Sequence, residues 1–177
     1  MRDRIELILS DLGEVADRLD DGPLRELGVE ISRAKNIFVA GLGRSGLMAK
    51  AFAMRLMHLG LVPYVVGETT TPDIGEGDLL ICCSRRGESG SHSHFIDLAH
   101  EAGARAAVMT ASPESTNAVK ADLTVVLPVD RSIEAHQPLG TLFEQTLLLL
   151  LDLLTTRLMR DLEVDEAAMQ RKHTSLE

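Results

Sequence analysis

The 177-residue sequence predicts a three-layer α/β sandwich, a five-stranded parallel sheet with helices on both faces. Three observations predict it. Short apolar segments alternate with helical ones, an order that imposes right-handed crossovers and a parallel sheet. The apolar segments are continuous rather than polar at every second residue, as strands covered on both faces require. Finally, the first such segment runs into a glycine-rich loop and then a helix, I-F-V-A-G-L-G-R-S-G-L-M-A-K at 37–50.

Ile5, Ile8, Leu9, Leu12, Val15, Ala16 and Leu19 recur at helical spacing, giving an amphipathic first helix that stops near Asp20, Asp21 and Gly22. Pro23 suits the first position of a second helix running to about Ala34. Strands are expected at 36–40, 61–66, 78–84, 105–110 and 123–127, and core helices at 45–59, 91–102 and 142–159. Ser112 and Pro113 read as the N-cap and first residue of a further short helix, and a last helix precedes the C-terminal tail. The chain reads as a single domain over 1–177. It comprises N-terminal helices at 1–35, an α/β core at 36–160, and a C-terminal helix and tail at 161–177.

A net charge of −9, no basic run, one Tyr, four Phe and no Trp argue against a nucleic-acid surface. The run from Thr146 to Met159 holds eight leucines but includes Asp152 and is too short to span a bilayer. Its apolar faces instead predict a second-subunit contact in addition to the sheet. The N-terminus has no basic segment followed by an apolar one, so a cytoplasmic protein is expected. Adjacent Cys82 and Cys83 read as buried thiols, and no metal-ligand spacing or cofactor is expected.

In a parallel sheet of this kind ligands gather outside the strand C-termini where the first and third strands diverge, so the loops after Ala40, Val66 and Ser84 should share one cleft. Gly41, Gly43 and Gly46 precede a helix whose free N–H groups and positive dipole end attract an anion. Their spacing also satisfies G-x-G-x-x-G, so a nucleotide and a sugar phosphate both remain open; Glu68 stands where a ribose-binding acid would in the nucleotide case. The loop Ser84-Arg85-Arg86-Gly87-Glu88-Ser89 adds hydroxyls, guanidinium groups and N–H donors, chemistry suited to a phosphate monoester, although a solvated polar turn would have the same composition. Thr141-Leu142-Phe143-Glu144 fits a capping box, with Glu144 alternatively a general base in the cleft. His92 and His94 read as surface residues, His58 and His100 as helix-ending ones. His136 and His173 sit in irregular or terminal segments beside charged residues and read as exposed imidazoles.

The chain resembles the 6-phospho-3-hexuloisomerases of the sugar-isomerase (SIS) domain family. The resemblance rests on G-L-G-R-S-G at 41–46, A-F-A-M-R-L-M-H-L-G at 51–60 and V-V-G-E-T-T-T-P at 65–72. It continues through Q-P-L-G-T-L-F-E-Q at 137–145 and K-H-T-S-L-E at 172–177. It implies a flavodoxin-like sheet and a homotetramer or homodimer. The implied reaction interconverts a 3-hexulose 6-phosphate and fructose 6-phosphate without redox cofactor or metal. It also implies that Gly43, Arg44, Ser45 and the loop residues Ser84, Arg85, Arg86, Gly87, Glu88 and Ser89 hold the phosphorylated ketohexose, while Glu144 moves the proton. His173 is implied to be catalytic in its own or a neighbouring subunit. Where the family's third loop reads S-G-S-G-E-T, this chain carries Arg85 and Arg86 and so exchanges a hydroxyl for two guanidinium groups. A phosphosugar-binding module without turnover is the alternative this exchange leaves open.

Overall fold

Residues alternate between the two faces of the sheet with the period of two that a pleated strand dictates. Ile37, Val39, Leu79, Ile81, Cys83, Ala107 and Met109 enter one core, while Phe38, Ala40, Leu80, Cys82, Ala106 and Val108 enter another. Both sets are buried, and the all-apolar strand sequences follow from that. The computed structural model describes residues 1–129 and 136–175.

In chain order the elements are α1 (Arg2–Asp17), α2 (Asp21–Arg33), β1 (Ile37–Gly41), α3 (Gly43–His58), β2 (Pro63–Val65), β3 (Leu79–Cys83), α4 (Gly90–Glu101), β4 (Arg105–Thr110), α5 (Thr116–Lys120), β5 (Leu123–Val126), α6 (Thr141–Asp161) and α7 (Glu166–Lys172). The strands form one sheet in the order β2-β1-β3-β4-β5, every pair parallel, with Val39 opposite Val65 on one side and Ile81 on the other. One core receives side chains from α1, α2, α3 and α6; the other receives Ile96 and Ala99 of α4. The chain leaves β1 toward β2 through α3 and returns to β3 on the other side, so the loops after β1 and β3 diverge and leave a crevice between them.

Helix α6 supplies the largest share of one core. Phe143, Leu147, Leu151, Leu154 and Leu158 are almost wholly buried, each contributing roughly 1.5–3 kcal/mol of apolar transfer. Leu149 and Leu153, one turn apart on the opposite side, stay exposed. Among the described residues no helix is long and apolar enough to cross a membrane.

Several expected boundaries shift for local reasons. Pro23 is the third residue of α2, not the first, because Asp20 takes the cap by accepting the Gly22 N–H at 2.9 Å. The proline still falls in the first turn, where its missing N–H is no loss. Helix α5 begins at Thr116, later than the Ser112-Pro113 start: the Ser115 backbone N–H and hydroxyl both donate to the Ser112 carbonyl, closing a turn first. Strand β2 is only three residues long, shorter than the expected 61–66. The polar loop expected before α6 includes residues 130–135, which lie outside the described residues, as do 176 and 177 of the C-terminal motif. His136 beyond that loop is not an isolated exposed imidazole. Its backbone N–H and ring Nδ1 both meet the buried carboxylate of Asp11, each at 2.9 Å, tying the start of the α6 segment to α1.

Candidate active site

Strand β1 and helix α3 approach more closely than side chains allow. A Cβ on Gly46 would lie 2.5 Å from the Gly41 carbonyl oxygen, and one on Gly41 would lie 2.7 Å from the Gly46 Cα. Two of the three loop glycines are therefore packing residues, and they hold the α3 N-terminus against the end of the strand. Gly43 opens the helix with φ +56° and open space over it. The cap residue Leu42 has no side chain to satisfy the first turn, so the leading N–H groups of α3 are free to meet a ligand. Ser45 follows, mostly buried, with its side chain at the cleft wall.

The loop after β3 forms the facing wall. Its backbone is fastened to the neighbouring strand and helix: Ser84 donates its N–H to the Met109 carbonyl, the Arg85 carbonyl accepts from Ala111 and the Thr110 hydroxyl, and the Gly87 carbonyl accepts from Asn117. Gly87, at φ +65°, is required here, since a Cβ would land 1.9 Å from the Ser115 hydroxyl. Between the two walls lies a cleft of about 540 Å³ lined by Ser45, Ser84, Arg85, Arg86, Glu88 and Ser89, together with Leu42, Cys83 and His92. Ser89 caps α4, accepting from the His92 N–H at 3.4 Å. Glu88 lines the cleft and is also engaged by the start of α5. Its carboxylate accepts the Thr116 hydroxyl at 2.7 Å and the Thr116 N–H at 3.0 Å, bonds that hold its pKa below the usual carboxylate value and make it the N-terminal clamp of α5.

Glu144 reaches this region from a third direction. The predicted capping box does not form. The cap of α6 is Gly140, and the Thr141 hydroxyl donates to the Pro138 carbonyl instead. The preceding Leu139 takes φ +56°, which turns the chain so that Thr141 is already helical. Freed from capping, the Glu144 carboxylate accepts from Arg44 Nε at 2.5 Å; the Glu144 side chain is 14% exposed and that of Arg44 61%. Gly140 faces both Glu144 Oε1 and the Arg85 side chain, at 3.4 and 3.3 Å from the Cβ it lacks. The α3 N-terminus, the α6 N-terminus and the arginine loop thus converge at one edge of the cleft.

The loop after β2, expected to share the cleft, is not among its walls. It folds on itself through a bond from the Thr71 hydroxyl to the Val65 carbonyl and attaches to α3 through Lys50 and Glu68, each at 2.5 Å. His173 is also elsewhere in its own chain. Its ring stacks on that of buried His58 with centroids 5.3 Å apart, in a separate cavity of about 420 Å³ beside Arg55, Asp152 and Glu166. His58 ends α3 whereas Ser45 begins it, placing this cavity roughly 20 Å from the cleft along the helix.

His92 is the site residue that sequence reasoning missed. Predicted as a surface side chain, it is 1% exposed, and neither ring nitrogen has a hydrogen-bond partner. Burial holds its pKa below the usual imidazole value. Cys83, also at the cleft, is pushed up to about 12 by burial and remains a thiol. Among the described residues no three His, Cys, Asp or Glu side chains gather as metal donors.

A crevice at the switch point of a parallel sheet, walled by a helix N-terminus and a guanidinium-bearing loop, gives an α/β protein whose cleft has the chemistry to receive an anion. More narrowly, the SIS domain family matches residues 30–156, and the chain belongs to that family. Over 176 residues it is 40% identical to the 3-hexulose-6-phosphate isomerase of Bacillus subtilis, covering 96% of this chain and 95% of the relative. It is 42% identical over 148 residues to the 3-hexulose-6-phosphate isomerase of Methanocaldococcus jannaschii, covering 82% and 79%. A crystal structure of a Methanococcus jannaschii protein, described as inferring a molecular function of 3-hexulose-6-phosphate isomerase, superposes with TM-score 0.88 at 34% identity, covering 99% of each chain.

Proposed function

We propose that this protein is a phosphosugar isomerase interconverting D-arabino-3-hexulose 6-phosphate and fructose 6-phosphate. The isomerase class follows from the similarity, over most or nearly all of the chain, to several 3-hexulose-6-phosphate isomerases. The observation that carries the mechanism is the Glu144 carboxylate, released from the capping role and held by Arg44 beside the cleft.

The reaction moves a carbonyl from C3 to C2 as a proton leaves C2 and arrives at C3, and it is redox-neutral overall. The phosphate docks between the N–H groups of Gly43, Arg44 and Ser45 and the loop of Ser84, Arg85, Arg86 and Ser89, with Gly87 setting the loop's turn and Glu88 clamping it. Anchoring there fixes the sugar carbons relative to Glu144, which removes the proton from one carbon and returns it to the next through an enediolate. Arg44, paired with the base and next to the helix end, stabilises the enediolate oxygen. His173 joins a cleft only from another copy of the chain, which makes a dimer or tetramer part of this reading.

The second reading, a phosphosugar-binding module without turnover, is favoured by one feature, the two bulky side chains of Arg85 and Arg86 on the cleft wall. Purified protein incubated with the 3-hexulose phosphate and assayed for fructose 6-phosphate separates the two. Product formation supports the isomerase; ligand binding with no product supports the module.

A further inference from the structure

We propose that His92 is a substrate-binding residue that recognises the uncharged, oxygen-bearing part of the sugar, a hydroxyl or the carbonyl, while the arginine loop takes the phosphate. The inference rests on the phosphosugar reading above and goes beyond it by assigning the cleft a second kind of contact.

His92 occupies the third position of α4, and its ring packs near Phe95 with centroids 6.3 Å apart. It belongs to the cleft wall together with Cys83, Ser84 and Ser89. Buried polar groups are nearly always paired, so an orphan beside a cleft calls for a partner that a ligand can supply. Both nitrogens of this ring are buried and unpartnered, one a donor and one an acceptor in the neutral form. Burial keeps the ring neutral, and the positive end of α4 opposes protonation as well. A neutral imidazole suits an oxygen that accepts or donates one hydrogen bond; it is a poor match for a dianion. Arg85 and Arg86 on the same wall already supply charge-assisted donors for phosphate. The ring must turn to present a nitrogen to the cleft, and no hydrogen bond has to break for it to do so.

The test measures binding of fructose 6-phosphate and, separately, inorganic phosphate by calorimetry to the wild type, His92→Leu and His92→Gln. The Leu variant is expected to bind fructose 6-phosphate about 10-fold or more weakly, as loss of a sugar hydrogen bond in a buried site implies, with phosphate affinity unchanged. Gln, which keeps a donor and an acceptor, restores most of the loss. A readout on the unmutated protein guards against misfolding: the ¹⁵N shifts of the His92 ring move on adding fructose 6-phosphate and not on adding phosphate. Wild-type-like sugar phosphate binding by the Leu variant, equal loss of both ligands, or an unmoved His92 ring each overturns the assignment. A wild-type protein that binds phosphate but no sugar phosphate overturns the phosphosugar reading itself, and this inference with it.

Discussion

Replacing Gly46 by Ala puts the packing account of the glycine loop at risk. The new Cβ would sit 2.5 Å from the Gly41 carbonyl oxygen and 2.9 Å from its carbonyl carbon, roughly 0.9 Å short of ordinary contact. The obstacle is the backbone at the end of β1, where Gly41 is held in register opposite Cys83 of β3 and has little room to rotate away. Overpacking in cores costs about 1–3 kcal/mol, and an immobile neighbour places this case at the upper end, ~3 kcal/mol. For a chain of this size each kcal/mol lowers the melting temperature by about 2–4 °C, so a drop of roughly 6–12 °C is expected. Gly13→Ala is the control. Gly13 lies in the middle of α1 with nothing near its missing Cβ, so Ala there should stabilise by about 0.5–1 kcal/mol through helix propensity. Thermal and urea unfolding of the two variants give opposite signs of shift. If Gly46→Ala melts within a degree of the wild type, the close approach of α3 to β1 is not what holds the anion loop.

The arginine loop offers a second test: replacing Arg85 and Arg86 by Gly and Ser should weaken inorganic phosphate binding by about 10-fold or more, from the loss of charge-assisted bonds, and improved affinity together with faster turnover would show the arginines obstruct the cleft. Glu88 makes the clamp pH-dependent. Its folded pKa is depressed from 4.5, so its contribution to stability is present above that value and lost as pH falls through the folded one. Acid unfolding of Glu88→Gln should therefore converge with the wild type at low pH and separate from it above 4.5, and a constant offset at every pH contradicts the clamp. Leu149 and Leu153, exposed one turn apart on α6, are expected to lie in a subunit interface. Light scattering should show an oligomer that Leu149→Glu with Leu153→Glu dissociates, and a wild-type monomer at micromolar concentration refutes this.

The sheet was legible because its physics is local and strong. Five apolar runs separated by helical patterns admit few arrangements, and Arg105 to Thr110 was bounded to the residue. The first loop was legible as a glycine loop, although Gly41 and Gly46 serve helix-strand contact rather than ligand approach, and spacing alone cannot tell those uses apart. Long-range pairings were hidden. The Thr-x-x-Glu pattern at Thr141 to Glu144 fits a capping box, but the partner that decides the matter, Arg44, is distant in sequence. The pairing of His136 with Asp11 was hidden for the same reason, since Asp11 belongs to the first helix. His92 was misjudged because G-S-H-S-H looks like a polar surface. A signal was present, since His92, Ile96 and Ala99 stand at i, i+4 and i+7 and form the buried stripe of α4.

Solvent deuterium incorporation by the wild type and Glu144→Gln probes the proton transfer itself. In deuterated water the wild type should place deuterium on the sugar carbon that gains a proton as fructose 6-phosphate and the 3-hexulose phosphate interconvert. The Gln variant keeps the shape of the side chain and gives up one ion pair whose Arg44 partner is solvent-exposed, worth about 1 kcal/mol, so it should melt near the wild type and still bind fructose 6-phosphate. Its turnover should fall by ~10²- to 10⁴-fold, as removal of a general base does, with no deuterium entering the sugar. A Gln variant that isomerises and exchanges at the wild-type rate would remove Glu144 from the chemistry.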